Sequence, residues 1–200
     1  MSQEARFCTR VISSIQSSIK VKSALLNDQN LILSVSRASE CCARALKDGG
    51  KLLLFGNGGS AADAQHVAAE FIGRFAFDRP ALPALSLSVN PSCVTAIGND
   101  FGFDRIFSRQ LEALGRRGDV AVGLSTSGNS ANVLIGVGTA KRLGLHTIAL
   151  TGGTGGKLKG SPDIDVCICA PSNEVPRIQE CHILIGHIIS ELVEEELFRG

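Results

Sequence analysis

The sequence contains no tryptophan and no tyrosine, and phenylalanine supplies all of its aromatic residues. Recognition by stacking on nucleic-acid bases or on sugar rings is therefore not expected. Lysine and arginine number 20 against 19 aspartates and glutamates, and they are mixed along the chain, so no basic block exists that would bind nucleic acid through counterion release. No apolar run reaches the ~18 residues that a membrane-spanning helix needs. We therefore expect neither a nucleic-acid nor a membrane partner.

The first twenty residues also lack the apolar core of a signal peptide, and we expect a cytoplasmic protein. The seven cysteines include no CxxC pair, and their odd number favours reduced thiols over a disulfide framework. Cys167 and Cys169 alternate within an apolar run, so they should share one face of a strand. Because free cysteine behaves as a small buried hydrophobe, a core-filling role is the expectation for this pair.

What the chain does contain is a regular alternation of apolar segments. Two amphipathic helices are predicted at 3–25 and 28–48, and they are more than a minimal α/β unit needs, which makes them candidates for packing against another subunit. After them strands and helices alternate, which predicts an α/β fold with a parallel sheet covered on both faces. No linker or repeat interrupts the pattern, so residues 1–200 are predicted to form a single domain, with N-terminal helices over 1–49 and an α/β core over 50–200.

The boundaries of the core elements follow from the same patterns. Asn99-Asp100 is predicted as a polar turn. The predicted strands are 51–55, 83–88, 120–124, 146–150 and 164–169, and the predicted helices are 60–73, 92–98, 101–114, 131–143 and 174–197.

Two polar turns follow strands and precede helices. The first is GNGGS, Gly56 to Ser60, and the second is STSGNS, Ser125 to Ser130. Both should face the crevice beyond the carboxyl ends of the parallel strands, where ligands bind in such sheets. The first turn lacks the complete GxGxxG pattern and the second has no lysine, so a dinucleotide or a nucleoside triphosphate is not indicated. A plain helix N-cap also selects these residue types, but four hydroxyls in six residues favour a phosphate monoester.

The helix after the glycine turn carries His66, Glu70 and Arg74 at four-residue intervals, near one helical face. An imidazole and a carboxylate one turn apart form half of a metal site, although an ordinary exposed pair has the same spacing. The last helix adds Gln179 and His187. A buried imidazole requires a partner, and the sequence leaves open whether His187 is a ligand or a satisfied core histidine. Gln179 and His187 are eight residues apart, about 12 Å along the helix, so different subunits are an alternative source of the ligands.

Taken together, these segments resemble the phosphoheptose isomerases of the sugar-isomerase (SIS) domain family. The resemblance covers nearly the whole chain. Its most specific segments are GNGGSAADAQHVAAEFIGRF (56–75), TAIGNDFGFDRIFSRQ (95–110), LSTSGNSANV (124–133) and RIQECHILIGHII (177–189). The resemblance implies a three-layer α/β/α sandwich around a five-stranded parallel sheet of the flavodoxin-like type. It also implies a homotetramer with active sites at subunit interfaces.

The activity implied by the resemblance is aldose–ketose isomerisation of D-sedoheptulose 7-phosphate to D-glycero-D-manno-heptose 7-phosphate through an enediol or enediolate. One Zn2+ per subunit is implied at His66, Glu70, Gln179 and His187, with Glu70 and His187 as the acid/base pair. The implied substrate-binding residues are Asn57, Gly58, Gly59, Ser60, Glu70, Arg74, Asn99, Asp100, Ser125, Thr126, Ser127, Ser130 and Gln179. Some family members carry an acidic residue where this chain has Pro176, so any role of that acid is absent here.

Two alternatives remain open at this stage. Non-catalytic SIS proteins that bind the replication initiator DnaA share the glycine turn, but they have no carboxylate at the position of Glu70. The second alternative is the same chemistry on a pentose or hexose phosphate, because nothing in the sequence measures substrate length. The metal identity, the anomer and the end product of the heptose are also undetermined by the sequence.

Overall fold

The computed structural model describes residues 2–199, which form seven α-helices, five strands and one 3₁₀ turn. In chain order these are α1 (Gln3–Leu26), α2 (Gln29–Lys47), β1 (Leu52–Gly56), α3 (Gly59–Ile72), β2 (Ala84–Ser86), α4 (Pro91–Phe101), a 3₁₀ turn (Phe103–Arg105), α5 (Ser108–Leu114), β3 (Val120–Leu124), α6 (Ala131–Arg142), β4 (His146–Gly152), β5 (Val166–Ala170) and α7 (Val175–Phe198).

All neighbouring strands of the sheet are parallel, and their spatial order is β2-β1-β3-β4-β5. This confirms the predicted five-stranded sheet of the flavodoxin-like type. The chain winds in opposite directions on the two sides of the β1–β3 pair. Sheets of this kind bind ligands at such a switch point, beyond the carboxyl ends of the strands. The turns after β1 and β3 therefore lie where a ligand is expected.

Two apolar layers hold the helices against the sheet, because strands that are covered on both faces must be apolar on both. Every residue of β1 and β3 is buried. On one face the core joins α2, α3 and α7 through residues such as Leu31, Phe71 and Ile185. On the other face Phe107 and Val137 pack with Phe55 beneath the helices that follow β2 and β3. The result is the three-layer α/β/α sandwich.

The segment after β2 differs from the prediction in two places. Asn99 and Asp100 do not form a turn, since α4 continues through them and ends at Gly102, whose φ of +86° stops the helix. The predicted helix over 101–114 is divided into the 3₁₀ turn and α5. The other core elements agree with the predictions to within a few residues, the usual uncertainty at element ends.

Helix α1 lies at the surface and presents a row of apolar side chains to solvent. Phe7, Val11, Ile12, Ile15 and Ile19 are each more than half exposed, and Leu25 is the buried residue of this helix. A contiguous apolar row of this size usually marks an interaction surface. None of the helices between residues 2 and 199 has the length and apolarity required to cross a membrane.

Candidate active site

The turns after β1 and β3 meet at the switch point of the sheet. The side-chain amides of Asn57 and Asn132 donate hydrogen bonds to each other's carbonyl oxygens, both at 2.9 Å. Asn132 is buried at the start of α6 and was not predicted from the sequence, where it follows the hydroxyl-rich turn without any distinguishing pattern. The reciprocal amide pair joins the two turns into one continuous polar surface.

The turn Ser125 to Ser130, which we call the hydroxyl loop, is not explained by helix capping. Ser130 is the N-cap residue of α6, but its side chain makes no capping hydrogen bond. Its hydroxyl instead lies 2.9 Å from that of Ser125. The first turn of α6 therefore presents backbone N–H groups and the positive end of the helix dipole without a side-chain cap, which is the arrangement that binds phosphate.

Residues 153–158 form a second loop that packs directly against the hydroxyl loop, and we call it the buttress loop. The backbone N–H of Leu158 donates to the carbonyl of Gly128, at 3.1 Å. Gly128 has a φ of +66°, and a Cβ placed there would overlap the carbonyl oxygen of Gly155. Only glycine permits this conformation and this close approach, so the shape of the hydroxyl loop depends on direct contact with the buttress loop.

Three of the predicted metal ligands converge on one point, and we call them the histidine cluster. His66 and Glu70 lie one turn apart on α3, with Nε2 and Oε1 separated by 3.1 Å. His187 on α7 reaches across, and its Nε2 lies 3.0 Å from that of His66. All three ligand atoms lie within 4.8 Å of one another. Helices α3 and α7 approach closely because Gly186 packs directly against Val67.

The donor set of the histidine cluster suits a divalent transition metal. Two imidazoles and a carboxylate are the ligands of many catalytic zinc sites, which keep the fourth position open. Two ligands of a tetrahedral zinc ion at about 2.0–2.1 Å lie about 3.3 Å apart, close to the spacings of these atoms.

The fully buried imidazole of α7 belongs to His182, which is not part of the histidine cluster. His182 lies 3.1 Å from the carbonyl oxygen of Thr151, and burial lowers the pKa of His182 to about 4. It is therefore neutral at physiological pH.

Gln179, the fourth predicted ligand, lies at the other end of α7, near the glycine turn. A Cβ placed on Gly59 would lie 2.8 Å from Cδ of Gln179. The missing side chain of Gly59 thus makes room for this amide beside the first turn of α3. The structure therefore brings together three of the four predicted ligands, while Gln179 stands beside the predicted substrate residues.

The remaining predicted residues lie around the histidine cluster and the two polar turns. Ser60 is buried beneath the glycine turn, whereas Gly58 and Ser127 are exposed and Thr126 is partly exposed. Arg74 follows the end of α3 and pairs with Asp78 in an exposed salt bridge. Asn99 and Asp100 lie exposed on the last turn of α4, where the Asn99 amide donates to the Asp100 carboxylate at 2.7 Å.

A buried ion pair that was not predicted from the sequence supports the histidine cluster. Arg79 and Glu194 are only 2% and 1% exposed, and Nε of Arg79 donates to Oε1 of Glu194 at 2.9 Å. The same carboxylate accepts from the backbone N–H groups of Phe75 and Ala76, at 2.9 and 2.7 Å. The Phe75 ring lies 5.7 Å from that of His187, between ring centres. The ion pair thus fixes the loop that covers one side of His187. A separation of 115 residues leaves no local signal for this pairing.

Arg79 also forms a hydrogen bond with the end of α3, because its Nη2 donates to the carbonyl of Glu70 at 2.8 Å.

Asp63, which lies on α3 one turn before His66, was also not predicted from the sequence. Its Oδ2 is buried and has no hydrogen-bond partner within residues 2–199. Burial raises the pKa of Asp63, while the nearby His66 acts in the opposite direction.

Comparison with known proteins relates the chain to sugar-phosphate enzymes over nearly its full length. The SIS domain family matches residues 16–152. A phosphoheptose isomerase from Aneurinibacillus thermoaerophilus is 52% identical over 188 residues, which cover 94% of each chain. Another from Sulfurimonas denitrificans is 48% identical and covers 92% of this chain and 93% of its own. The solved phosphoheptose isomerase from Neisseria gonorrhoeae is 43% identical with a TM-score of 0.88, over 94% of this chain and 99% of its own.

Proposed function

We propose that this chain, because it belongs to the SIS-domain family of phosphoheptose isomerases, converts D-sedoheptulose 7-phosphate to D-glycero-D-manno-heptose 7-phosphate, the first step towards nucleotide-activated heptose. The chain is an isomerase of the aldose–ketose type. The observation that carries the proposal is the convergence of His66, Glu70 and His187. A phosphate-binding scaffold would not need a carboxylate and two imidazoles whose reactive atoms face one another.

The proposed chemistry moves one proton between neighbouring carbons. Glu70 removes a proton from C1 of the ketose and returns it to C2, as a general base and then a general acid. His187 transfers the hydroxyl proton from the C1 oxygen to the C2 oxygen, so that the products of the two transfers are the aldehyde and the new hydroxyl. The Glu70 carboxylate is partly buried, and its contact with His66 holds it in a defined position. These assignments need both side chains within reach of adjacent substrate atoms.

The proposed metal is Zn2+, held by His66, Glu70 and His187 with Gln179 as the fourth ligand. When bound, it supplies Lewis-acid stabilisation of negative charge on the substrate oxygens. Gln179 lies about 12 Å before His187 along α7, which favours a site completed by a second subunit. The proposed assembly is a homotetramer, and the exposed apolar row on α1 supports it. We place the enzyme in the cytoplasm, where its seven free cysteines would remain reduced.

The proposed role of the two turns is to hold the phosphate and the chain of the sugar. Ser125, Thr126, Ser127 and Ser130 bind the phosphate oxygens together with the backbone of the first turn of α6. Asn57 to Ser60, Arg74, Asn99, Asp100 and Gln179 contact the rest of the substrate. Binding the phosphate away from the reacting carbons positions C1 and C2 without taking part in the proton transfers.

The test is a coupled assay on sedoheptulose 7-phosphate with the wild type and Glu70→Gln, each after chelation and after zinc is restored. We expect the variant to lose about 10²–10⁴-fold in kcat, the usual contribution of a general base. Glu112→Gln is the matched control, because this exposed carboxylate on α5 belongs neither to the histidine cluster nor to the two polar turns. Metal content measured by mass spectrometry should fall in a His66→Ala variant. Full wild-type turnover after complete chelation would remove the metal from the mechanism. Tight binding of the sugar phosphate without turnover would contradict the isomerase assignment.

A further inference from the structure

Two cysteines on the edge strand of the sheet form a thiol pair that the isomerase chemistry does not use. Cys167 and Cys169 point to the same face of β5, and their sulfur atoms lie 3.8 Å apart. Both residues are partly exposed. Within residues 2–199, β5 pairs with β4 along one edge and has no strand on the other. Cys167 packs against the apolar layer that contains Phe55, but neither thiol is fully buried, so the core-filling role predicted for the pair describes it only in part.

The two thiols differ in acidity because each acts on the other. A hydrogen bond from the Cys167 thiol lowers the pKa of Cys169 to about 7, although burial opposes ionisation, and the ammonium of Lys159 adds to the lowering. The same hydrogen bond, followed by burial, raises the pKa of Cys167. Cys169 is thus partly thiolate at physiological pH, whereas Cys167 retains its proton. A thiolate beside a protonated thiol is the arrangement found in reactive dithiols.

The thiolate lies directly beneath the buttress loop. A Cβ placed on Gly155 would lie 2.9 Å from Sγ of Cys169, so no space remains between the sulfur and this part of the loop. Gly155 in turn contacts Gly128 of the hydroxyl loop. Two hydrogen bonds also join these loops. The backbone N–H of Lys157 donates to Oδ1 of Asn129, and the backbone N–H of Leu158 donates to the carbonyl of Gly128. Any enlargement of Cys169 must therefore move the buttress loop, which carries the hydroxyl loop.

We propose that Cys167 and Cys169 form a thiol–disulfide exchange site that takes small disulfides of the glutathione class. The Cys169 thiolate attacks one sulfur of the small disulfide, which forms a mixed disulfide and releases one thiolate. Cys167 then loses its proton and attacks Sγ of Cys169, which forms the Cys167–Cys169 bond and releases the second thiolate. The protein loses two hydrogens and two electrons, and the small disulfide is reduced to two thiols.

The geometry makes this disulfide reversible rather than structural. Two residues of a parallel strand advance about 6.6 Å, and side chains on the same face hold their Cβ atoms about as far apart, beyond the roughly 3.5–4.5 Å that a disulfide spans. Closing the bond therefore requires the edge strand β5 to bend locally. A disulfide held in this way is strained and readily reduced, which is typical of regulatory disulfides. In a reducing compartment the pair remains as two thiols, and it oxidises when small disulfides accumulate.

Oxidation should act on substrate binding through the buttress loop. The mixed disulfide and the closed disulfide both displace Cys169 relative to Gly155, and the hydroxyl loop follows. We expect KM for the sugar phosphate to rise several-fold while kcat changes little, because the histidine cluster lies on α3 and α7 and not on the loops that Cys169 displaces. This consequence rests on the proposed function, whereas the thiol chemistry itself does not.

The first experiment follows the chemistry by mass spectrometry, without any activity measurement. The full-length protein is incubated with oxidised glutathione and its peptides are compared in the wild type, Cys167→Ser and Cys169→Ser. We expect the wild-type peptide over 166–170 to lose two hydrogens, and Cys167→Ser to retain one glutathione on Cys169. Cys169→Ser should acquire neither change, and Cys169→Ala replaces it if the serine variant does not fold. Modification at the exposed Cys8 with no change at Cys167 or Cys169 would overturn the proposal.

The second experiment measures KM and kcat of the same samples before and after reduction with dithiothreitol. We expect a reversible rise in KM for the wild type and no response in Cys169→Ser. Cys93→Ser, which removes a partly exposed thiol on α4, is the matched control and should respond as the wild type does. A closed disulfide with an unchanged KM would overturn the coupling to the hydroxyl loop. Absence of turnover in all samples, with the disulfide formed, would contradict the proposed function and leave the exchange site supported.

Discussion

The buried pair of Arg79 and Glu194 yields a sharp prediction about stability. Glu194→Gln removes the negative charge but retains the size of the side chain. It leaves the guanidinium of Arg79, which is 2% exposed, without its counter-ion. The new amide NH₂ also faces one of the two backbone N–H groups, of Phe75 or Ala76, which then has no acceptor. Both effects destabilise the folded state and leave the unfolded state unchanged.

The expected loss of stability depends on the hydrogen bonds that Arg79 retains in the variant. Removing one partner of a buried ion pair costs about 3–5 kcal/mol. Nη1 of Arg79 still donates to the carbonyls of Phe71 at 2.7 Å and Pro80 at 3.0 Å, so we expect a loss near the lower limit, about 3 kcal/mol. For a chain of this length 1 kcal/mol shifts Tm by about 2–4 °C, which gives a decrease of about 6–12 °C.

Thermal unfolding followed by circular dichroism at one fixed protein concentration measures this shift, because the stability of an oligomer depends on concentration. The matched control is Asp78→Asn, which breaks the exposed pair with Arg74, where both side chains are more than 60% exposed. That change should cost no more than about 1 kcal/mol. The double variant Arg79→Met, Glu194→Leu should lose less stability than the two single changes added together. Equal melting temperatures for Glu194→Gln and Asp78→Asn would refute the assignment of the buried pair as a major contributor.

Three further predictions concern pH, the hydroxyl loop and the surface of α1. Although burial opposes ionisation, hydrogen bonds from Ala76, Phe75 and Arg79 hold the pKa of Glu194 below its ordinary value. Its contribution is therefore complete above about pH 5 and is lost as the pH falls through the folded-state pKa, so the Tm difference between wild type and Glu194→Gln should narrow on acidification. Gly128→Ala should raise KM about tenfold or more with a smaller effect on kcat, because a Cβ overlaps Gly155; equal KM values would contradict the contact. Ile15→Lys should dissociate the proposed tetramer in sedimentation experiments, whereas the same change at a residue outside the apolar row should not.

The sequence determined the layers of the fold because its apolar periodicity is a local property. Alternating strand and helix patterns require a parallel sheet, and the positions of β3 and α6 could be predicted almost to the residue. The region after β2 resisted prediction because Asn99-Asp100 has the polar composition of a turn. In the structure α4 passes through Gly98 and stops at Gly102, where φ is positive.

The candidate site could be predicted in part for the same reason. His66 and Glu70 lie on one helix face by spacing alone, and the glycine and hydroxyl turns identify themselves by composition. That His187 joins them depends on how α7 crosses α3, which rests on the absence of a side chain at Gly186 and the shape of Val67. The sequence left open whether His187 was a ligand or a core residue. In the structure His187 reaches the cluster, and the core histidine of α7 is His182, which was not predicted from the sequence.

Contacts between distant segments were decided only by the tertiary structure. Asn57 with Asn132, Arg79 with Glu194, and Cys169 beneath Gly155 are each pairs that no local pattern connects. Their partners are chosen by the packing of layers, in which a side chain meets whatever the neighbouring element places there. The sequence thus specified which chemical groups this protein has and on which elements they lie, and the packing of those elements specified which groups act together.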